Sequence, residues 1–358
     1  MQSLDEKTWK QLSAFGDGAP LHIETTNSSI DGIRLIDDGE KSVPYITRSD
    51  ANNGLARFVS AKNYEFGSDD GGCMTVGLDT QTAFYQPHKF VTGQNVQVIT
   101  GENISEDVAQ FLVPILRQQM TAKFNWGGNG ATLGRMKRLS VMLPVTDSGE
   151  PDYAYMAEYA QQKRNAMLAK YRAYVEDRIA ELGEVAEIPA LDEKEWAHFK
   201  MPDVFNVIQR GKRLKNADHI PGNIPYVSST ANNNGVDDYI EATSGTRVFC
   251  DCISLANSGS VGTAFYEPFA FVASDHVTAL KTDGLTKYEY LFIASMIEKQ
   301  GSNFNFNREI NDARIRNMQI MLPVTDSGEP DYEYMKQYVK NMMLCKYQQY
   351  LAFLKQSA

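Results

Sequence analysis

The chain has 358 residues, 42% hydrophobic and 22% charged, the balance of a globular protein with room for two or more hydrophobic cores. Its formal net charge of -10 argues against a tight, autonomous nucleic-acid binder and leaves any phosphate contact to local basic clusters. No apolar run is long enough to cross a bilayer, and the acidic start Met1–Lys7 lacks an apolar signal core, so no membrane association and a cytoplasmic location are expected.

In chain order, the first half opens on Leu4-Asp5-Glu6-Lys7-Thr8-Trp9 and continues with short β-like runs at Val43–Ile46, Phe90-Val91 and Val96–Ile99. Asn52-Asn53-Gly54 and Gly71-Gly72 punctuate them as turns. A helical pattern over Glu106–Lys123 follows, with Pro114 expected to kink or end it. After Met142–Tyr153 (MLPVTDSGEPDY), a long helix is expected from near Asp152, carrying Met156, Tyr159, Met167, Tyr171, Tyr174, Val175, Ile179 and Leu182 on its apolar side. Lys163 and Arg164 interrupt that side once.

The same order then returns about 180 residues later, the mark of a tandem duplication. Leu191-Asp192-Glu193-Lys194-Glu195-Trp196 repeats the opening, and Ile224-Pro225-Tyr226-Val227 repeats Val43–Ile46. Asn233-Asn234-Gly235 repeats the first amide turn, and Thr263–Pro268 repeats Thr82–Pro87. A helical stretch at Lys287–Gln300 matches Glu106–Lys123, and Met321–Tyr332 is identical to Met142–Tyr153. The final helix carries Met335, Tyr338, Met342, Leu344, Tyr347, Tyr350, Leu351 and Leu354 at three- and four-residue spacing. A helix of about 30 residues spans about 45 Å, too long for one compact half to cover, so the two helices are expected to pack on each other. Paired in that way, they set a fixed separation between the two globular parts.

Few residues invite metal or catalytic readings. Cys73, Cys250, Cys252 and Cys345 contain one close pair and no second, so they read as reduced thiols. The five histidines never occur at ligand spacing, and no metal or other cofactor is expected.

What the halves do not share lies in polar loops. Thr47-Arg48-Ser49-Asp50 stands where the other half has Ser228-Ser229-Thr230-Ala231. Lys123-Phe124-Asn125-Trp126 resembles Asn303-Phe304-Asn305-Phe306, but Gly127–Ala131 and Asn307–Asn311 then diverge. Asn can pair bidentately with adenine and Arg with guanine, while Ser and loop amides suit phosphates. Candidate DNA contacts are Arg48, Ser49, Asn52, Asn53, Lys62, Asn125, Trp126, Asn129 and Arg135 in the first half. In the second they are Lys212, Ser228, Ser229, Asn233, Asn234, Ser258, Asn305, Asn307 and Arg308. The Asn-Asn-Gly segments read equally as hairpin turns, the aromatic-Asn-aromatic loops as core packing, and the basic clusters around Arg210–Lys215, Arg135–Arg138 and Arg308–Arg316 as solvated surface.

Arg210–Leu214, Ile224–Thr230, Asn233–Val236, Leu255–Gly262 and Thr263–Pro268 together resemble the target-recognition domains of type I restriction–modification specificity subunits. In the first half Gly32–Leu35 stands where the second has Gly211–Leu214, Gly77-Leu78-Asp79 replaces the small-residue loop, and the likeness spans nearly the whole chain. The resemblance implies an α+β fold: two tandem target-recognition domains, each followed by a long helix, the helices pairing as an antiparallel coiled coil. The expected boundaries are 1–146 and 189–325 for the domains, 147–188 and 326–358 for the helices. It further implies a non-catalytic subunit that reads a bipartite site in double-stranded DNA, with methyltransferase and nuclease subunits docking on the paired helices. Similar subunits serve type IIB systems, and the MLPVTDSGEPDY linkers incline the reading to that branch.

Two other classes compete. As a methyltransferase the chain lacks the Pro-Pro of a base-gripping loop. Gly128–Gly134 has the wrong spacing for a nucleotide loop, and Pro151-Asp152 with Asp192–Lys194 mimics a nuclease pattern that recurs as a start motif at Leu4–Lys7. A repeat scaffold without nucleic acid stays open, and salt-dependent duplex binding separates it from a DNA reader.

Overall fold

The computed structural model describes residues 2–124, 130–300 and 309–356. The chain divides into two units, Met1–Tyr171 and Arg172–Ala358, each α+β. The first contains β1 (Trp9–Ser13), β2 (His22–Thr25), β3 (Val43–Ile46), β4 (Leu55–Val59), β5 (Cys73–Gly77), β6 (Ala83–Gln86), β7 (Val91–Thr92) and β8 (Val96–Thr100). There follow α1 (Glu106–Lys123), α2 (Leu133–Met136), β9 (Ser140–Pro144) and α3 (Tyr153–Leu182), the division between units falling inside α3. The second unit repeats the plan. It has β10 (Trp196–Lys200), α4 (Met201–Val204), β11 (Val207–Arg210), β12 (Pro221–Val227), β13 (Val236–Ile240), β14 (Val248–Phe249), β15 (Cys252–Ala256), β16 (Ala264–Glu267), β17 (Phe271–Ala273) and β18 (Val277–Lys281). It closes with α5 (Lys287–Gln300), α6 (Asp312–Asn317), β19 (Gln319–Pro323) and α7 (Tyr332–Gln356).

The sheets correspond one to one. The four-stranded sheet β2-β8-β5-β6 matches β11-β18-β15-β16, and β4-β3-β7 matches β13-β12-β17, to which the second unit adds β14. Each central strand of the smaller sheet pairs in parallel with its neighbour, Tyr45 beside Val91 and Tyr226 beside Val272. The main core lies between the larger sheet and the first helix. In α1, Val108, Phe111, Leu112, Leu116 and Met120 recur at helical spacing and meet Met74, Val76 and Ile99. Tyr290, Ile293 and Ile297 of α5 do the same against Ile253, Leu255 and Leu280.

The repeated ends of each half are explained by a clasp. β1 pairs with β9 and β10 with β19, antiparallel, so the opening motif lies against the closing one. Lys7 Nζ meets Asp152 Oδ2 at 2.7 Å, and Lys194 meets Asp331 at 2.7 Å. Trp9 Nε1 donates to the Leu4 carbonyl at 2.9 Å while its ring stacks on Phe111, and Trp196 repeats this with Leu191 and Phe292. The Lys7 hydrogen bond holds the Asp152 carboxyl below the usual carboxylate range.

Pro114 does not end α1, which runs on to Lys123. The missing N–H deprives only the Gln110 carbonyl, on the exposed side of the helix where water can replace it. The interruption at Lys163-Arg164 also has a partner: Arg164 reaches Asp107 at 2.8 Å and Glu106 at 3.6 Å in the first turn of α1. The corresponding residues of the second half are Met343, Tyr288 and Lys287, so no such charge pair forms there. Within the second unit, the last turns of α3 pack on the helices that follow. Ile179 and Leu182 join Tyr288 of α5 and Leu344, Met343 and Tyr347 of α7, and Asn341 binds the backbone of Ala186 through both its amide atoms.

Candidate functional site

In each unit, the loops that differ between the halves hang on the same main-chain frame. The Asn-Asn-Gly segment is a tight turn in which both asparagines take positive φ, 51° and 55° at Asn52 and Asn53, 50° and 52° at Asn233 and Asn234. Asparagine tolerates that region better than other side-chain-bearing residues. Gly54 (φ +76°) and Gly235 (φ +79°) close the turns, and a Cβ on Gly54 would lie 2.9 Å from the Thr47 carbonyl oxygen. The carbonyl of each glycine accepts from the start of the variable loop, Thr47 N at 2.8 Å and Ser228 N at 2.9 Å.

A second and a third loop join by equivalent backbone bonds. Leu78 N donates to Asn95 O at 2.9 Å, and Asn257 N to His276 O at 2.8 Å. Ala131 N donates to Leu78 O at 2.8 Å, and Ile310 N to Asn257 O at 2.9 Å. The frame is thus the same in both halves, down to individual carbonyls.

The side chains on it are not. In the first unit Arg48 Nη1 contacts Asp79 Oδ2 at 2.5 Å, Asn95 Nδ2 donates to the same oxygen at 3.1 Å, and Thr80 Oγ1 donates to the Arg48 carbonyl at 2.7 Å. Arg117 of α1 pairs with Asp50 at 2.5 Å and lies over the Phe84 ring. Arg135 Nη1 donates to the Gly130 carbonyl at 3.0 Å, on the segment that returns to Leu78. In the second unit, Ser229 stands at the Arg48 position, Ser258 at Asp79 and His276 at Asn95. Ser258 Oγ lies 2.5 Å from His276 Nδ1, and Ser260 N donates to the Ser229 carbonyl at 3.0 Å. Lys212 joins them, its amide donating to the Ala273 carbonyl at 3.2 Å beside the Ser274–His276 loop. One set is an arginine–carboxylate–amide cluster and the other is built from hydroxyls and an imidazole. Such sets present different donors and acceptors to whatever they face.

The structure therefore brings together Arg48, Ser49, Asn52, Asn53 and Arg135 in one unit, and Lys212, Ser228, Ser229, Asn233, Asn234 and Ser258 in the other. Lys62 stands apart in the short 3-10 helix Ala61–Phe66 after β4, paired with Asp38 at 2.9 Å, whose carboxyl is pushed down to about 2 by the Lys62 hydrogen bond. Asn125, Trp126, Asn129, Asn305, Asn307 and Arg308 lie outside the described residues. Sequence reasoning passed over Asp79, Asn95, Arg117 and His276 as contributors. The usable signal was positional, since each differs from its repeat equivalent (Ser258, His276, Glu298 and Asn95) within an otherwise matching stretch. Among the described residues no cluster of His, Cys, Asp or Glu is arranged to hold a metal ion, and no helix is long and apolar enough to cross a membrane.

The chain matches the family described as the type I restriction modification DNA specificity domain twice, over residues 22–170 and 193–350. It is 29% identical over 308 residues to the specificity subunit S.BcgI of a type II restriction enzyme from Heyndrickxia coagulans, covering 85% of this chain and 86% of that one. Among solved structures it resembles the S subunit of a type I restriction-modification system from M. genitalium, with a TM-score of 0.50 and 12% identity over 100% of this chain and 94% of that chain. With both halves matched, the chain belongs to the type I restriction modification DNA specificity domain family, one copy in each half.

Proposed function

We propose that the chain is the DNA-specificity subunit of a restriction–modification complex, each half reading one part of a bipartite site in double-stranded DNA. The observation that carries the reading is the pair of matching loop frames bearing unlike side chains: Arg48, Asp79 and Asn95 against Ser229, Ser258 and His276. A duplicated scaffold whose loop frames match in their backbone hydrogen bonds while the polar side chains on them differ suits a protein that must read two different short sequences in the same way. In this reading the target-recognition domains are 1–146 and 189–325.

The helical segments 147–188 and 326–358 act as the spacer, pairing as an antiparallel coiled coil on which methyltransferase and nuclease subunits dock. The packing of Ile179 and Leu182 on Leu344 and Tyr347 supports that pairing. The chain itself performs no catalysis and works in the cytoplasm. Its net charge of -10 assigns much of the grip on phosphates to those partners. The type II identity of the S.BcgI relative favours a complex in which methylation and cleavage reside in the partner subunits.

Methylome sequencing of cells expressing the chain together with a methyltransferase subunit that assembles with it tests this directly. A bipartite motif with a fixed gap is expected. Exchanging the Arg48–Gly54 and Gly77–Thr82 loops for their second-half equivalents should change one half-site, and a change in both defeats the two-reader scheme.

A further inference from the structure

Gln86 and Glu267 hold the same place in the two halves. Each ends the edge strand of the larger sheet, and each faces a cysteine across the ladder, Cys73 and Cys252. Both are buried, Glu267 completely. The Gln86 amide donates twice, to Thr75 Oγ1 at 3.0 Å and to the Asn53 carbonyl at 2.9 Å, and so ties β6 to the Asn52–Gly54 turn. Glu267 keeps the first link in reversed polarity, its Oε1 accepting from Ser254 Oγ at 2.9 Å. Its Oε2 is buried with no hydrogen-bond partner.

The turn above it has not moved to compensate. The Asn233-Asn234-Gly235 backbone matches its counterpart in φ. A Cβ on Gly235 would lie 3.7 Å from Phe265, the same distance that separates Gly54 from Phe84. The Asn234 carbonyl therefore stands where Asn53 stands, and a carboxylate below it opposes oxygen to oxygen with no proton between. We propose that Glu267 is the positioning residue of the second recognition loop: as a carboxylic acid it donates from Oε2 to the Asn234 carbonyl, as the Gln86 amide does to Asn53, and ionisation releases the turn.

The surroundings favour the acid. On the same face of the sheet lie Cys252, Ser254 and Phe265, and the Cys252 thiol, pushed up to about 12 by burial, stays neutral. Charged groups on the neighbouring elements are engaged elsewhere. Asp251 accepts from Tyr266 Oη at 2.7 Å, Lys281 Nζ donates to the Cys250 carbonyl at 3.1 Å, and Glu298 of α5 accepts from Ala264 N at 3.3 Å. On β13 Asp238 pairs with His219 at 2.6 Å, and Asp237 is exposed. Among the described residues no cation pairs with Glu267, and burial raises its carboxyl to about 7 against the opposing Ser254 hydrogen bond.

The test needs no DNA for its first arm, although the role of the turn in recognition rests on the function proposed above. Amide hydrogen exchange of the full chain is followed at residues 232–236 and 51–55 between pH 6 and 8, corrected for intrinsic base catalysis. The protonated fraction of a group titrating near 7 falls about tenfold over that range. Opening of the second turn should rise by about that factor while the first stays level. Glu267→Gln should abolish the rise, and Gln86→Glu should transfer it to the first turn. Equal pH response of both turns in the wild type, or a rise that survives Glu267→Gln, overturns the proposal. The second arm measures binding of the assembled complex to its DNA target. Loss of second half-site discrimination with rising pH, restored by Glu267→Gln, supports the positioning role. If the turn responds in exchange but no sequence preference exists at any pH, the DNA reading fails and the latch stands.

Discussion

Replacing Glu267 with Gln gives the second half the residue the first half already carries, and the consequence for stability can be worked from the structure. The folded chain holds the Glu267 proton up to about pH 7, whereas an exposed glutamate in the unfolded chain releases it near 4.5. A raised carboxyl contributes stability that is complete below about 4.5 and is lost as the pH rises through about 7. The gap between the two values corresponds to about 3 kcal/mol, lost progressively over that window. Of this, about 1 kcal/mol is already gone at pH 5 and about 3 kcal/mol at pH 8. The amide variant never ionises. It should therefore be more stable than the wild type by about 1 kcal/mol at pH 5 and by about 3 kcal/mol at pH 8. Urea denaturation of the full chain, followed by tryptophan fluorescence at both pH values, reads the difference. A gap between variant and wild type that is the same at pH 5 and pH 8 refutes the reasoning, because the burial invoked here acts only on the ionised form.

Other consequences are as direct. Cys250 and Cys345 are exposed, while Cys73 and Cys252 are buried with their thiols pushed up to about 12. A thiol reagent at pH 8 should therefore modify the exposed pair quickly in the native chain and the buried pair only after denaturation, as mass spectrometry of the labelled peptides will show. Gly235→Ala forces a side chain onto a backbone at φ +79° with a neighbour 3.1 Å away. It should cost about 1 to 2 kcal/mol and degrade reading of the second half-site alone, measured by methylation of duplexes altered in one half at a time. Lys7→Ala leaves the Asp152 carboxylate, largely shielded from water, without its ion-pair partner. A loss of about 1 to 3 kcal/mol is expected near neutral pH. Because Asp152 is held below its ordinary range, that contribution is present above about pH 4 and fades as the pH falls through the folded value, so acid titration of the wild type and Lys7→Ala should converge.

Much of the architecture was legible because the chain states it twice. The repeat marked out two equivalent halves, and helical spacing located α1, α3, α5 and α7 to within a few residues. Pro114 misled, since a proline on the exposed side of a helix removes a bond that water can replace. Lys163 and Arg164 read as a flaw in an apolar seam until Glu106 and Asp107 were seen beside Arg164. The site was legible as a set of divergent polar loops, and most of the chosen residues on described loops do converge. Lys62 does not, because its exposed ammonium meets Asp38 on another surface, a pairing that no local pattern announces.

By itself the sequence determined the duplication, the α+β order, the family and the places where the halves part company. These are properties of pattern and identity along the chain, and they survive without coordinates in space. Only the tertiary structure decided which distant residues share a site: that Arg48 faces Asp79, that Ser258 faces His276, and that the opening lysine of each half clasps the closing aspartate. It also decided the meaning of one substitution that looks conservative on paper. Glutamine and glutamate differ by an amide and a carboxyl, but burial beneath an asparagine carbonyl makes the proton on Glu267 a structural part, and burial is a property of packing rather than of sequence.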